Sequence, residues 1–194
     1  MEQKLESRYL IREQIGQGAF GVIYHALDEK NHREIAIKVW KAGSETEIFS
    51  HDNSPFLREE MIPGVVKIYD YFEKAGMNFL VMEYLPGGTL KQKLEMLRKQ
   101  SSQRQLLELF RPVLEGLAFL HSEGLVHCDL SPDNLMFDEA GNLKLIDLGA
   151  CRGKEIICDK KFMKEAYSAP EQYTAPDRIG PWTDVYGICA VLLR

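Results

Sequence analysis

The chain has 194 residues, 45% of them apolar and 27% charged, with a formal net charge of −5. That composition suits an ordinary globular protein with room for one core or a core and a half. The mild acidity argues against a dedicated nucleic-acid surface, and no apolar run reaches membrane-spanning length or forms a signal-peptide core. Cys128, Cys151, Cys158 and Cys189 show no CxxC pairing of the kind that holds a metal, so a reduced, cytoplasmic compartment is expected.

Residues 9–15 are β-rich and lead into Gly16-Gln17-Gly18-Ala19-Phe20-Gly21. A dinucleotide-binding motif would open a helix after such glycines. Here residues 22–27 are β-branched and aromatic, so the glycines join two strands, and their backbone can lie over phosphates. A third strand, 34–40, follows a turn at 28–33 and carries Lys38 among apolar residues, twenty positions after Gly18. A lone strand lysine is ordinarily a solvated edge residue; after a glycine loop a phosphate contact is expected. Residues 65–72 and 78–85 read as two more strands across a turn at Gly76, which completes a five-stranded antiparallel sheet. Leu85-Pro86-Gly87-Gly88 breaks the pattern and divides the chain into domains 1–85 and 86–194.

A short amphipathic helix is expected over 89–97, then a polar loop, then a longer helix over 105–122. Leu106, Phe110, Val113, Leu114, Leu117 and Leu120 line one face of it, and Pro112 should kink it or force a local adjustment. Beyond it, Asp129 lies five positions before Asn134, and Asp147-Leu148-Gly149 follows that Asn by thirteen. Apolar runs at 135–137 and 143–146 flank a Gly141-Asn142 turn, so a hairpin would hold Asp129, Asn134 and Asp147 around one volume. A base, an amide oxygen and a carboxylate together suit an Mg-phosphate site. Each motif alone could equally be a helix cap or an Asx turn.

Taken in order, Gly16-x-Gly18-x-x-Gly21-x-Ile23, Ala36-Ile37-Lys38, His127-x-Asp129-x-x-x-x-Asn134, Asp147-Leu148-Gly149 and Ala169-Pro170-Glu171 resemble a protein kinase from about residue 9 to the end. Ser131-Pro132-Asp133-Asn134 and Glu171-Gln172-Tyr173 resemble the bacterial serine/threonine type. The resemblance implies an α+β, two-lobed fold, with the sheet as N-lobe and a mainly helical, incomplete C-lobe. It implies a γ-phosphoryl transfer from ATP to Ser or Thr of a protein substrate, with Mg²⁺ as cofactor. Asp129 would accept or orient the hydroxyl, Asn134 and Asp147 would hold Mg²⁺, and Lys38 the α/β-phosphates. Gly16, Gly18, Gly21 and Ala36 would line the nucleotide site. Met82 would gate the adenine pocket, and the backbone of Glu83 and Leu85 would read the adenine edge. A helix Glu should pair with Lys38; Glu59 is preferred and Glu45 is the competing register. His127 is expected to be a packed structural residue.

Departures from the family pattern carry further expectations. Cys128 replaces the usual Arg beside the catalytic Asp, and no Ser, Thr or Tyr lies between Asp147 and Tyr167, so switching by an activation-loop phosphate is not expected. Ser131 stands where a lysine is usual and Lys164 where a threonine is usual; Lys164 is expected to supply the missing cation to the catalytic centre. Asp184 would brace the backbone of the catalytic loop. Glu171 has no obvious partner, and Ile188, Val191 and Leu192 are expected to lack cover, as in a truncated C-lobe completed by further helices or a partner chain. The alternative function is a nucleotide-binding pseudokinase or scaffold.

Overall fold

Alternating β-branched and aromatic residues build the first part of the chain into one curled sheet. The computed structural model describes residues 3–18, 21–41, 55–57, 61–148, 151 and 163–193. It divides into two compact units, Met1–Glu60 with Val66–Leu85, and Met61–Val65 with Pro86–Arg194. No helix among the described residues is long and apolar enough to cross a membrane.

The first unit contains β1 (Gln3–Leu5), β2 (Tyr9–Gly18), β3 (Gly21–Asp28), β4 (Arg33–Lys41), β5 (Ile68–Lys74) and β6 (Met77–Glu83). All pairings are antiparallel, in the order β1-β2-β3-β4-β6-β5. The sheet therefore has six strands, where five are expected from the sequence. The extra strand returns through Glu6 and Ser7, whose φ values are +52° and +53°. These two left-handed residues are the centre of a turn closed by Arg8 N donating to Leu5 O at 3.1 Å, and neither is the Gly or Asn that would announce such a turn. β5 also starts later than expected, at Ile68, because residues 61–65 belong to the second unit.

Ile35 and Ile37 on β4 share one sheet face by the two-residue period and are fully buried with Tyr9, Ala26 and Val81. The sheet curls until β2 and β5, which are not paired, meet side chain to side chain. The Tyr9 hydroxyl donates to Asp70 Oδ2 at 2.7 Å, and the Tyr9 and Phe72 rings stack at 6.2 Å. Beside them Asp28 is wholly buried. Arg8 donates to both its oxygens at 2.7 and 2.8 Å, and Asn31 and Arg33 donate at 2.8 and 3.2 Å.

The Arg8 hydrogen bonds hold the Asp28 carboxyl far below the usual carboxylate range, against the opposing effect of burial. A depressed pKa contributes stability above the unfolded value that is lost as pH falls through the folded one. Asp28→Asn should cost about 3 kcal/mol at neutral pH, because it leaves the Arg8 and Arg33 guanidinium groups without the carboxylate charge that balances them. The urea midpoint should fall with unchanged slope. The wild-type advantage should fade below about pH 4, where the unfolded carboxylate takes up its proton.

The second unit contains α1 (Leu90–Gln100), α2 (Gln103–Ser122), the hairpin β7 (Leu135–Phe137) and β8 (Leu143–Leu145), α3 (Pro170–Thr174) and α4 (Pro181–Leu193). Both long helices open on a capping box, Thr89 with Gln92 and Ser102 with Gln105. The second box explains why α2 starts two residues before the expected position. α2 runs through Pro112, which removes the donor that Glu108 would otherwise receive. Its buried stripe is Phe110, Val113, Gly116, Leu117 and Leu120. Leu114, expected in that stripe, is exposed: a small residue, Gly116, holds the inward position so that backbone can approach.

That approach is the segment 61–65. Gly64 has φ +59°, and a Cβ on it would overlap the Pro112 carbonyl; a Cβ on Gly116 would meet Pro63 O at 2.5 Å. The segment then hands a hydrogen bond to the hairpin, with Leu145 N donating to Gly64 O at 2.7 Å. In α4, Thr183, Asp184, Gly187, Ile188 and Val191 are buried. Ile188 and Val191 are thus buried, contrary to expectation, and Leu192 is half-buried. The apolar residues left in the open are Trp182, Val185, Tyr186 and Leu193. Glu171 has a partner as well: Thr183 Oγ1 donates to its Oε1 at 2.7 Å.

Candidate active site

Cys128, before Asp129, adopts φ +67°, a left-handed conformation that costs a side-chain-bearing residue energy and persists only where its surroundings impose it. Asp184 imposes it from α4. Its Oδ2 accepts His127 N at 2.8 Å and its Oδ1 accepts Cys128 N at 3.0 Å, while His121 Nε2 lies 2.8 Å from Oδ2. Gly187, one turn on, lets α4 come within 2.9 Å of Leu130 Cβ at the position its own Cβ would take. His127 is fully buried. Its Nδ1 accepts from Asp129 N at 3.2 Å and its Nε2 faces Ile146 O at 3.3 Å, so both ring nitrogens are engaged. The ring packs and orients the loop.

Asp129 is 6% exposed and heavily engaged. Asn134, placed by the short helical turn Pro132–Asn134, donates from Nδ2 to Asp129 O at 2.8 Å and to Oδ2 at 2.7 Å. Lys164 Nζ lies 2.9 Å from Asp129 Oδ1 and 3.1 Å from Oδ2, and donates to Ser131 Oγ at 2.8 Å. Lys164 is itself fixed at its backbone. Its N–H donates to Ser168 Oγ at 2.8 Å, and its carbonyl accepts from Tyr167 N and Ser168 N. Burial raises the Asp129 pKa above the usual carboxylate range; the Lys164 charge and hydrogen bond, then His127 and Asn134, oppose it without cancelling it.

Asn134 O accepts from Ile146 N at 2.9 Å, so Asp147 is one residue from the hydrogen bond that ties the two segments. Asp147 has φ +58°, the second non-glycine left-handed residue of this cluster. With both Asn134 amide hydrogens on Asp129, its Oδ1 is the atom left to meet a cation. Among the described residues no group of three or more His, Cys, Asp or Glu side chains could hold a metal.

The other expected site residues lie in the first unit. Gly16 pairs with Ile23 and Gly18 with Gly21 across the β2–β3 hairpin. Gly21 has φ +125°, and a Cβ there would overlap the Val39 carbonyl, so local geometry demands the glycine. No described residue beyond its chain neighbours has an atom within 4 Å of where a Cβ on Gly18 would stand. Ala36 and Lys38 share one face of β4, Ala36 opposite Met82 and Lys38 opposite Leu80. Glu83 N donates to Lys67 O at 2.9 Å, and Leu85 is buried at the end of the unit. Glu59 and Glu45 lie outside the described residues.

One residue went unread in the sequence. Gln172, 2% exposed, donates from Nε2 to Cys128 O at 2.8 Å and accepts from Ala169 N at 2.9 Å. In the sequence it figures only within Glu171-Gln172-Tyr173, with no role attached.

Residues 9–194 match the family model described as protein kinase domain. CBL-interacting protein kinase 10 of Oryza sativa subsp. japonica is 30% identical over 208 residues, covering 100% of this chain and 45% of that protein. Serine/threonine-protein kinase PknL of Mycobacterium tuberculosis is 33% identical over 193 residues, covering 95% of this chain and 48% of its own length. Probable serine/threonine-protein kinase pknA2 of Bifidobacterium longum is 33% identical over 160 residues, 77% of this chain and 21% of that protein. The chain thus spans about half the length, or less, of these curated relatives. A family match over nearly every residue agrees with the ordered motifs and the mixed α+β architecture, and the chain belongs to the protein kinase domain family.

Proposed function

We propose that this domain transfers the γ-phosphoryl group of ATP to a Ser or Thr hydroxyl of a protein substrate. One observation carries the reading: a buried carboxylate, Asp129, is gripped by an amide and an ammonium that come from two different segments. Asp129 takes the proton of the attacking hydroxyl as that oxygen bonds to phosphorus and ADP departs. Asn134 holds the carboxylate in one rotamer, and the Lys164 ammonium offsets the negative charge gathering there. Asn134 Oδ1 and the Asp147 carboxylate are hard oxygen donors that fit Mg²⁺. When bound, the ion neutralises phosphate charge during transfer.

The glycine loop supports the nucleotide side of the reading. Among the described residues neither packing nor a left-handed φ explains Gly18, and its bare backbone fits close approach by a phosphate. Lys38 and Ala36, on one face of β4, then meet the phosphates and the adenine, with Met82 as gate, the Glu83 and Leu85 backbone on the adenine edge, and a helix Glu, Glu59 or Glu45, as tether for Lys38. A cytoplasmic setting is in keeping with four cysteines that show no CxxC pairing.

The test is transfer of labelled phosphate from Mg-ATP to a Ser/Thr peptide library, beside a nucleotide-induced thermal shift. Asp129→Asn should lower turnover by a factor of about 10³ or more while the shift persists. A nucleotide shift with no transfer in the wild type would overturn the reading in favour of a nucleotide-binding scaffold. Transfer to small alcohols and not to peptides would overturn the protein substrate.

A further inference from the structure

The peptide plane between Cys128 and Asp129 is held at both edges by side chains. Its carbonyl accepts from Gln172 Nε2 at 2.8 Å, and its N–H donates to His127 Nδ1 at 3.2 Å. The residue that begins this plane is left-handed and 3% exposed, with its own N–H on Asp184. Rotation of that plane would swing Asp129, because the Cα of Asp129 is the next atom along it. Of its two holders, His127 belongs to the catalytic loop itself. Gln172 does not: it lies eight residues after Lys164, on the segment that also delivers the ammonium to Asp129 and Ser131. Gln172 is anchored in turn by Ala169 N, which donates to its Oε1 at 2.9 Å.

We propose that Gln172 is a positioning residue that locks the Cys128–Asp129 peptide, so that order in segment 163–172 sets the aim of the catalytic carboxylate. This rests on the kinase reading above and deepens it. Two fasteners, Lys164 on the Asp129 side chain and Gln172 on the backbone before it, join this segment to the catalytic loop. Both are ordinary side chains, and the stretch between Asp147 and Tyr167 has no hydroxyl that a phosphate could occupy. The joint is therefore assembled by folding, and it governs turnover separately from nucleotide affinity.

Two variants test the joint. Gln172→Met keeps length and volume and removes both hydrogen bonds; Gln172→Glu keeps the acceptor for Ala169 N–H and removes the donor to Cys128 O. In each, kcat for peptide should fall by about 10- to 100-fold, the cost of a misaimed catalytic group. KM for ATP should stay within about twofold. Cys128, read by mass spectrometry after iodoacetamide, should alkylate faster by about tenfold or more as its loop loosens. Unchanged kcat with unchanged Cys128 alkylation would overturn the proposal, as would nucleotide affinity and melting temperature falling in step with kcat. If the wild type binds Mg-ATP yet transfers no phosphate, the kinase reading fails, and the alkylation rates then decide alone: equal rates in wild type and variants overturn the lock, faster rates in the variants support it.

Discussion

Lys164→Met should lower kcat for peptide phosphorylation by about 10²- to 10³-fold, the usual loss when one charged donor leaves a preorganised site. The pH profile should move with it. Asp129 is raised by burial and pulled back chiefly by the Lys164 charge. Without the ammonium its pKa climbs further, so the acid limb of kcat/KM, which reports ionisation of the base, shifts to higher pH. Stability follows the same linkage with its own sign. A carboxyl whose folded pKa is raised contributes stability that is fully present below the unfolded value and lost as pH rises through the folded one. Lys164→Met should therefore melt close to wild type near pH 4 and well below it near pH 8, where an ionised Asp129 sits buried without its partner. Lys164→Arg keeps the charge and should retain the pH limb near the wild-type position. If Lys164→Met and Lys164→Arg both keep full turnover, Lys164 has no part in the reaction.

Asp184→Asn should be the most damaging single-atom exchange in the second unit. Its carboxylate is 1% exposed and serves His127 N, Cys128 N and His121 Nε2 at 2.8, 3.0 and 2.8 Å. An amide offers one acceptor oxygen, and its NH₂ must face one of those donors. The expected loss is about 3–5 kcal/mol, the scale of a buried charge network broken at one partner. Chemical denaturation would read it as a lower midpoint with the slope retained. Turnover should fall in the folded fraction too, because that carboxylate accepts the Cys128 N–H and so helps hold its left-handed backbone. A midpoint shift below about 1 kcal/mol would show that the loop is held elsewhere, for such a value is ordinary for a surface change.

The ordered motifs carried the family, and local rules carried much of the rest. Period-two alternation on β4 buried Ile35 and Ile37 together, and the Asp-x-x-x-x-Asn spacing with its Pro132 turn brought the Asn134 amide back onto Asp129. The same reasoning failed where the deciding partner was distant. Leu114 fitted the helical stripe and is exposed, because Gly116 was needed for the backbone of residues 61–65. Glu171 read as partnerless until α4 brought Thr183 to it, and the sixth strand turned on two left-handed residues without a turn signature.

By itself, then, the order of residues determined the family, the strand and helix periods, and which short-range pairs would meet. Those follow from backbone geometry within a few residues. The family pattern pointed to Lys164 at the catalytic centre and to Asp184 beneath its loop; only the tertiary structure decided the atoms, with Lys164 bridging Asp129 and Ser131, Asp184 holding Cys128 in a left-handed turn, and Gln172 closing the joint. These contacts span 35, 33, 56 and 44 positions. No local propensity encodes them, because each exists only once packing has removed water from both partners and left the hydrogen bond as the way to satisfy them.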